Sequence, residues 1–95
     1  MIIQIIRFKT SLSHDEVNQR FNDRADQYRK VAGLIQKYYV KFDEGEYGGV
    51  YIWDSKESLN AWRNTNLSGT VAATYQVEGD PSRQLAEVML VLKKD

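Results

Sequence analysis

The chain contains no cysteine, which excludes disulfides, thiolate metal sites and cysteine nucleophiles. Its single histidine, His14, cannot supply the repeated imidazole ligands of a zinc finger. A Ser-His-Asp arrangement would have to be built on His14, which falls beside Asp15 at the start of a helical pattern. With no converging partners, that position reads as ordinary surface. Charge of one sign is missing as well. The 13 basic and 13 acidic residues cancel, and they form no basic stripe able to neutralise several phosphates, so nucleic acid is not an expected partner. Long apolar runs are also absent. Met1 to Ile6 is interrupted by Gln4 and followed at once by Arg7 and Lys9, too short for a signal peptide or a membrane span. No membrane is expected as a partner, and a cytoplasmic location is the default.

What remains is a folded chain of modest size. Its 95 residues suit one domain, 1–95, and the hydrophobic share of 42% argues against disorder. A domain this short buries only about two thirds of its unfolded surface, so an oligomeric interface would add stability.

Ile2 to Lys9 is rich in β-branched residues and predicts a first strand. A helix follows: Ser13 and Glu16 have capping-box spacing, Leu12 and Val17 suit a hydrophobic staple, and Gly33 is placed to end it. Val17, Phe21, Ala25, Tyr28 and Ala32 lie on one helical stripe, which should rest on a sheet. Leu34 to Asp43 predicts a second strand, Glu44 to Gly48 a turn, and Gly49 to Trp53 a third strand paired as a hairpin. Asp54, with Glu57 three residues on, predicts a capped second helix through about Asn64. Ser68 can cap a short extra helix built on Val71, Ala72 and Tyr75; Gly79-Asp80-Pro81 reads as a turn, and Arg83 to Leu92 as a last strand.

Strand, helix, hairpin, helix, strand is the ferredoxin-like βαββαβ order of an α+β fold, a four-stranded antiparallel sheet with both helices on one face. The strands alternate poorly. Ile2, Ile3, Ile5 and Ile6 fill both faces of the first, and Val50 and Ile52 oppose Tyr51 and Trp53 in the third. Met89 and Val91 oppose Val88, Leu90 and Leu92 in the last. At roughly 25 cal/mol per Å² such a second apolar face favours association, so a homodimer through the sheet face is expected.

Polar residues inside apolar strands carry the functional signal. Gln4, Lys37, Tyr39 and Tyr51 are of this kind, and an unpaired buried amide or ammonium is costly, so each must reach a rim or line a cavity. For Lys37 a snorkelling position at the sheet margin is the plain alternative. Trp53 and Trp62 suit either core packing or the wall of an apolar cleft, and Asn60 and Arg63 could form a polar edge to that cleft or remain solvated. The glycines Gly45, Gly48 and Gly49 lack a following helix N-terminus and read as turn residues rather than a phosphate cradle.

Gly33-Leu34, Lys37, the Gly48-to-Trp53 strand and the Ser55-to-Trp62 segment together resemble the YdhR-type monooxygenases. These belong to the dimeric α+β barrel superfamily, which also holds the antibiotic-biosynthesis monooxygenases. The resemblance covers nearly the whole chain. It implies that two ferredoxin-like sheets pack into a barrel across a dimer, with a cleft between helices and sheet in each subunit. It also implies oxygenation of a small aromatic or polyketide-like substrate without metal or flavin. The substrate-binding candidates under this resemblance are Gln4, Lys37, Tyr39, Tyr51, Trp53, Asn60, Trp62 and Arg63; no residue is singled out as catalytic. Related haem-degrading enzymes share a tryptophan pair spaced like Trp53 and Trp62, but they need an asparagine late in strand 1 and a histidine ten residues beyond the second tryptophan. Ile6 and Arg7 fill the first region and Ala72 the second, so haem degradation is not expected.

Three readings follow: a cofactor-independent monooxygenase, a non-catalytic dimeric small-molecule-binding domain, and an isomerase or decarboxylase of a cyclic enol. A fold alone does not choose among them.

Overall fold

A computed structural model of the chain describes residues 1–43 and 45–93. Its elements are β1 (Ile2–Lys9), α1 (His14–Arg29), β2 (Leu34–Lys41), β3 (Glu46–Trp53), α2 (Lys56–Arg63), the short helices α3 (Asn66–Gly69) and α4 (Val71–Thr74), and β4 (Glu78–Glu87). The sheet order is β2-β3-β1-β4, with every described neighbour antiparallel. This is the expected α+β, ferredoxin-like topology. The expected closure into a barrel is not what the structure contains. Among the described residues the sheet is open, because β2 pairs only with β3 and β4 only with β1, leaving these two strands as edges.

Local chemistry explains most boundaries. The Ser13 hydroxyl accepts from the Glu16 backbone N–H at 3.2 Å while the Glu16 carboxylate accepts from the Ser13 N–H at 3.0 Å, completing the capping box that starts α1. At the second helix the cap is Ser55, one residue later than the predicted Asp54, and its hydroxyl accepts from the Ser58 N–H. Thr65 caps α3 in the same way, while Ser68, expected to cap the helix over Val71 and Ala72, lies inside α3, and that helix, α4, begins after Thr70 without a side-chain cap bond. Gly33 does not terminate α1, which ends at Arg29; it makes the turn into β2 at a φ of +80°, where a Cβ would collide with the Ser58 side chain. The strand predicted from Gly49 begins earlier, at Glu46, so the expected turn is shorter; Glu44, part of that prediction, lies outside the described residues.

The largest shift is in β4. It spans Glu78–Glu87, where a turn and only half a strand were expected, and the apolar Val88 to Leu92 lies beyond it. Gly79 to Pro81 is absorbed as a bulge: Arg7 pairs with Ser82 and Lys9 with Glu78, so three residues of β4 face Phe8 alone. Proline lacks the N–H a ladder needs, and an edge strand with a bulge is where it is tolerated. One more bond extends the ladder, from the Val88 N–H to the Met1 carbonyl at 3.0 Å. Met89, Leu90 and Leu92 are almost fully exposed.

One sheet face carries the helices and two buried clusters. Ile6, Tyr28, Tyr51, Trp53, Leu59 and Trp62 form the first; Phe8, Val17, Tyr47 and Tyr75 form the second. Val17 and Tyr28 of α1 belong to different clusters, so that helix spans both. Of the other stripe residues, Phe21 and Ala25 are half-buried and Ala32 is exposed. Arg24 ties α1 to the short helices, donating to the Thr70 and Thr74 hydroxyls at 3.0 and 2.8 Å and to the Leu67 carbonyl at 2.6 Å. The opposite face holds Ile3 and Ile5 of β1, Val50 and Ile52 of β3, and Tyr38 and Val40 of β2, as the antiparallel register requires. The two-sided apolar character therefore belongs to β1, β2 and β3. In β4, which is mostly polar, it is absent.

Candidate functional site

Antiparallel register places Leu85, Gln4, Tyr51 and Lys37 in one row across the helix-covered face, one residue from each strand in the order β4, β1, β3, β2. Three sequence candidates thus stand side by side. Tyr51 is the middle one. Its ring lies 5.2 Å from Trp62 and 6.1 Å from Tyr28, and these two rings are 6.3 Å apart. This aromatic triangle forms a wall between two clefts.

The cleft on the Gln4 side has a volume of about 460 Å³ and lies among α2, the short helices and β4; Gln4, Ile6, Trp62, Arg63, Val71 and Arg83 are among its lining. Gln4 is fully buried, and its Oε1 accepts from the Trp53 indole N–H at 3.0 Å. That bond fixes the amide's orientation and leaves Nε2 as the second donor. The Gln4 Nε2 and Trp62 Nε1 groups are both buried without a hydrogen-bond partner. Such a donor costs about 1–3 kcal/mol when unsatisfied, so two beside one cavity call for an acceptor. Arg63 and Arg83 are exposed residues of the same lining and make its field positive. Among the described residues that line it, none is a carboxylate, an imidazole or an amine.

The cleft on the Lys37 side has a volume of about 620 Å³ and runs between α1 and β2. Lys37 points inward. Its Nζ lies 3.2 Å from the ring centroid of Tyr28, 4.2 Å from Tyr39 and 4.5 Å from Tyr51. Gly49 makes room for it, because a Cβ there would sit 3.2 Å from Lys37 Cε and 3.0 Å from the Tyr51 ring. Burial pushes the Lys37 amine down to about 6, and the nearby Arg24 charge acts in the same direction. Burial also pushes the Tyr39 hydroxyl up to about 12, and those of Tyr51 and Tyr75 well above their ordinary value. The Tyr28 and Tyr39 hydroxyls are buried without partners.

The sequence candidates therefore divide. Gln4, Trp62 and Arg63 line the first cleft, Lys37 and Tyr39 the second, and Tyr51 stands in the wall. Trp53 is fully buried behind Gln4 and acts through it. Asn60 is exposed on α2 and lines neither cleft. The first helical residue, His14, is exposed and lies at the rim of the Lys37 cleft. Tyr28, Arg24 and Arg83 were not singled out from sequence. Tyr28 had a visible signal, as the one polar-tipped aromatic on the α1 stripe. Arg83 had none, because its strand carried the wrong boundaries.

No helix among the described residues is long and apolar enough to cross a membrane. Ala72, at the position where haem-degrading enzymes need histidine, lines the Gln4 cleft and offers no iron ligand. No curated protein sequence matches the chain. Solved structures do. A protein of unknown function from Nitrosomonas europaea superposes with a TM-score of 0.82 at 10% identity, covering 99% of this chain and 94% of its own. SnoaB, a cofactor-independent oxygenase from Streptomyces nogalater, gives 0.77 at 11% identity over 98% and 97% of the two chains. A MhuD variant with two manganese protoporphyrin IX molecules per active site gives 0.76 at 21% identity, over 99% and 100%. At these identities the superpositions establish the fold, which three differently described proteins share. Sequence is more specific: residues 2–78 match the family described as putative mono-oxygenase YdhR, and the chain belongs to that family.

Proposed function

We propose that the chain is a cofactor-independent monooxygenase acting on a small aromatic or polyketide-like substrate held in the Gln4 cleft. The observation that carries this reading is the pair of buried, unpartnered N–H donors, Gln4 Nε2 and Trp62 Nε1, beside one cavity. Donors of this kind stabilise an oxyanion more than a neutral carbonyl, and in a dry site they are worth more than in water. Because the described lining offers no base, the substrate must be acidic in its own right. A hydroquinone or an enolised 1,3-dicarbonyl fits, its ionisation favoured by the two donors and by Arg63 and Arg83. The ionised substrate passes an electron to dioxygen, the radical pair joins as a carbon-bound peroxide anion that takes up the proton released on ionisation, and loss of the hydrogen on that carbon with hydroxide, as water, leaves a new carbonyl. One oxygen atom enters the product and the other enters water.

We also assign the apolar outer face, with Ile3, Ile5, Val50 and Ile52, to pairing with a second copy of the chain. Sedimentation should give a dimer at micromolar concentration; a monomer there would remove this assignment.

The absence of a base among the described lining favours one rival, a non-catalytic dimeric small-molecule-binding domain. A thermal-shift screen of quinols and phenols, followed by oxygen uptake with each stabilising compound, separates the two. Uptake matched by product with one added oxygen supports the monooxygenase; binding in air with neither uptake nor product supports the rival. Trp62→Ala should abolish uptake, and full retention in that variant would move the chemistry out of this cleft.

A further inference from the structure

The Lys37 cleft has no part in the oxygenation just described, yet it holds a buried amine ringed by tyrosines. An amine in a protein interior normally faces a carboxylate, because an unpaired buried ammonium is strongly disfavoured. Here the charged residues of the described lining are Arg29, Lys37 and Lys41, with His14 at the rim, and no carboxylate is among them. Arg24, on the same helix, adds a further positive charge. What surrounds the nitrogen instead is aromatic: the rings of Tyr28, Tyr39 and Tyr51, all within 4.5 Å. Tyr28 is 4% exposed with its hydroxyl unpartnered, and the Tyr39 hydroxyl is buried and unpartnered too.

We propose that this cleft is a second site, in which the Lys37 amine captures an aromatic aldehyde or ketone bearing an anionic substituent, as an imine. The nitrogen lone pair adds to the carbonyl carbon and a proton moves from nitrogen to oxygen, giving a carbinolamine. Water then leaves as the C=N bond forms, with no oxidant or reductant consumed. Each part of the cleft matches a need of that sequence. The depressed proton affinity of Lys37 leaves the amine neutral and nucleophilic at pH 7. The Tyr28 and Tyr39 hydroxyls, on rings that flank the amine, are buried and unpartnered, and so are free to donate to the departing oxygen. Val17, Phe21 and Ala25 supply apolar wall for a planar ring, and Arg29 and Lys41 suit an anionic end. Gly49 leaves room for the lysine stem.

The test is reductive trapping at pH 7 with 4-carboxybenzaldehyde and cyanoborohydride, mapped by peptide mass spectrometry over all seven lysines. Lys37 is expected to be modified at least about tenfold faster than any other lysine, because burial leaves its amine neutral at pH 7. Lys37→Met should lose that modification, and Tyr28→Phe should slow it several-fold while leaving the rings in place. Benzaldehyde, which lacks the anion, should label Lys37 more slowly. Labelling that follows surface exposure, with Lys37 among the slowest, overturns the proposal. Equal rates with the two aldehydes overturn the part assigned to Arg29 and Lys41. Both results come from the wild-type protein, so they stand even if a variant fails to fold, and they do not depend on oxygen uptake.

Discussion

The two clefts share one sheet face and one wall, the Tyr28, Tyr51 and Trp62 triangle, but they leave opposite kinds of group unsatisfied. On the Gln4 side the wall ends in N–H donors with no acceptor and no base. On the Lys37 side it ends in an amine with no acid. The difference comes from one cross-strand row, in which Gln4 and Lys37 flank Tyr51. A fold of this size thus sets a pair of unpartnered N–H donors and a buried amine on either side of one strand, about 4.8 Å from it in each direction.

The comparison is broken most severely at its common support. Trp53→Ala removes a fully buried indole and releases the Gln4 amide; a loss of about 3–5 kcal/mol in urea unfolding is expected. The second effect has the opposite sign. The unfolded chain keeps Lys37 protonated up to its ordinary 10.5, whereas the folded chain releases that proton at about 6. Between those values the unfolded state binds more protons, so this residue makes stability rise with pH across that window. Arg24 and Arg29 on α1, Lys41 on β2 and the surrounding tyrosines all lack the negative charge that would reverse the sign. Lys37→Met should flatten that slope and stabilise the protein at pH 7 by about 1–3 kcal/mol; unchanged melting at pH 7 would show that Lys37 carries no such burden.

Smaller effects sharpen the contrast. Trp62→Phe keeps an aromatic ring and deletes one donor, so a ligand found by thermal shift should bind about tenfold more weakly, equivalent to about 1.4 kcal/mol. Equal affinity in calorimetry would remove the indole from the site. Asn60→Ala should change stability by less than about 0.5 kcal/mol and leave binding alone, since Asn60 is exposed and outside both clefts.

Much of the fold was legible because local chemistry and global topology agree. The Ser13 and Glu16 box, the spacing of Val17 and Tyr28, and the apolar runs of β1 and β3 all point to the observed order. The last strand was misread because apolarity does not identify a pairing partner. Val88 to Leu92 is the more apolar segment, yet the polar Glu78–Glu87 holds the ladder with β1. Closure into a barrel failed for a related reason: β2 and β4 are edges in this sheet. For the site, embedded polarity pointed to Gln4, Lys37, Tyr39 and Tyr51, side chains that the register sets on the helix-covered sheet face. That these residues serve two clefts was not legible, because alternation assigns a face within a strand but not the register between strands.

Oxygen uptake by the chain in the absence of flavin and metal, with the best-binding hydroquinone and with the Trp62→Phe and Lys37→Met variants in parallel, tests the proposed division of labour most directly. The account predicts one dioxygen consumed per product and at least about a tenfold loss in Trp62→Phe, the scale expected for one donor to an oxyanion. Full activity in Trp62→Phe together with its loss in Lys37→Met would contradict it and place the oxygen chemistry on the other side of Tyr51.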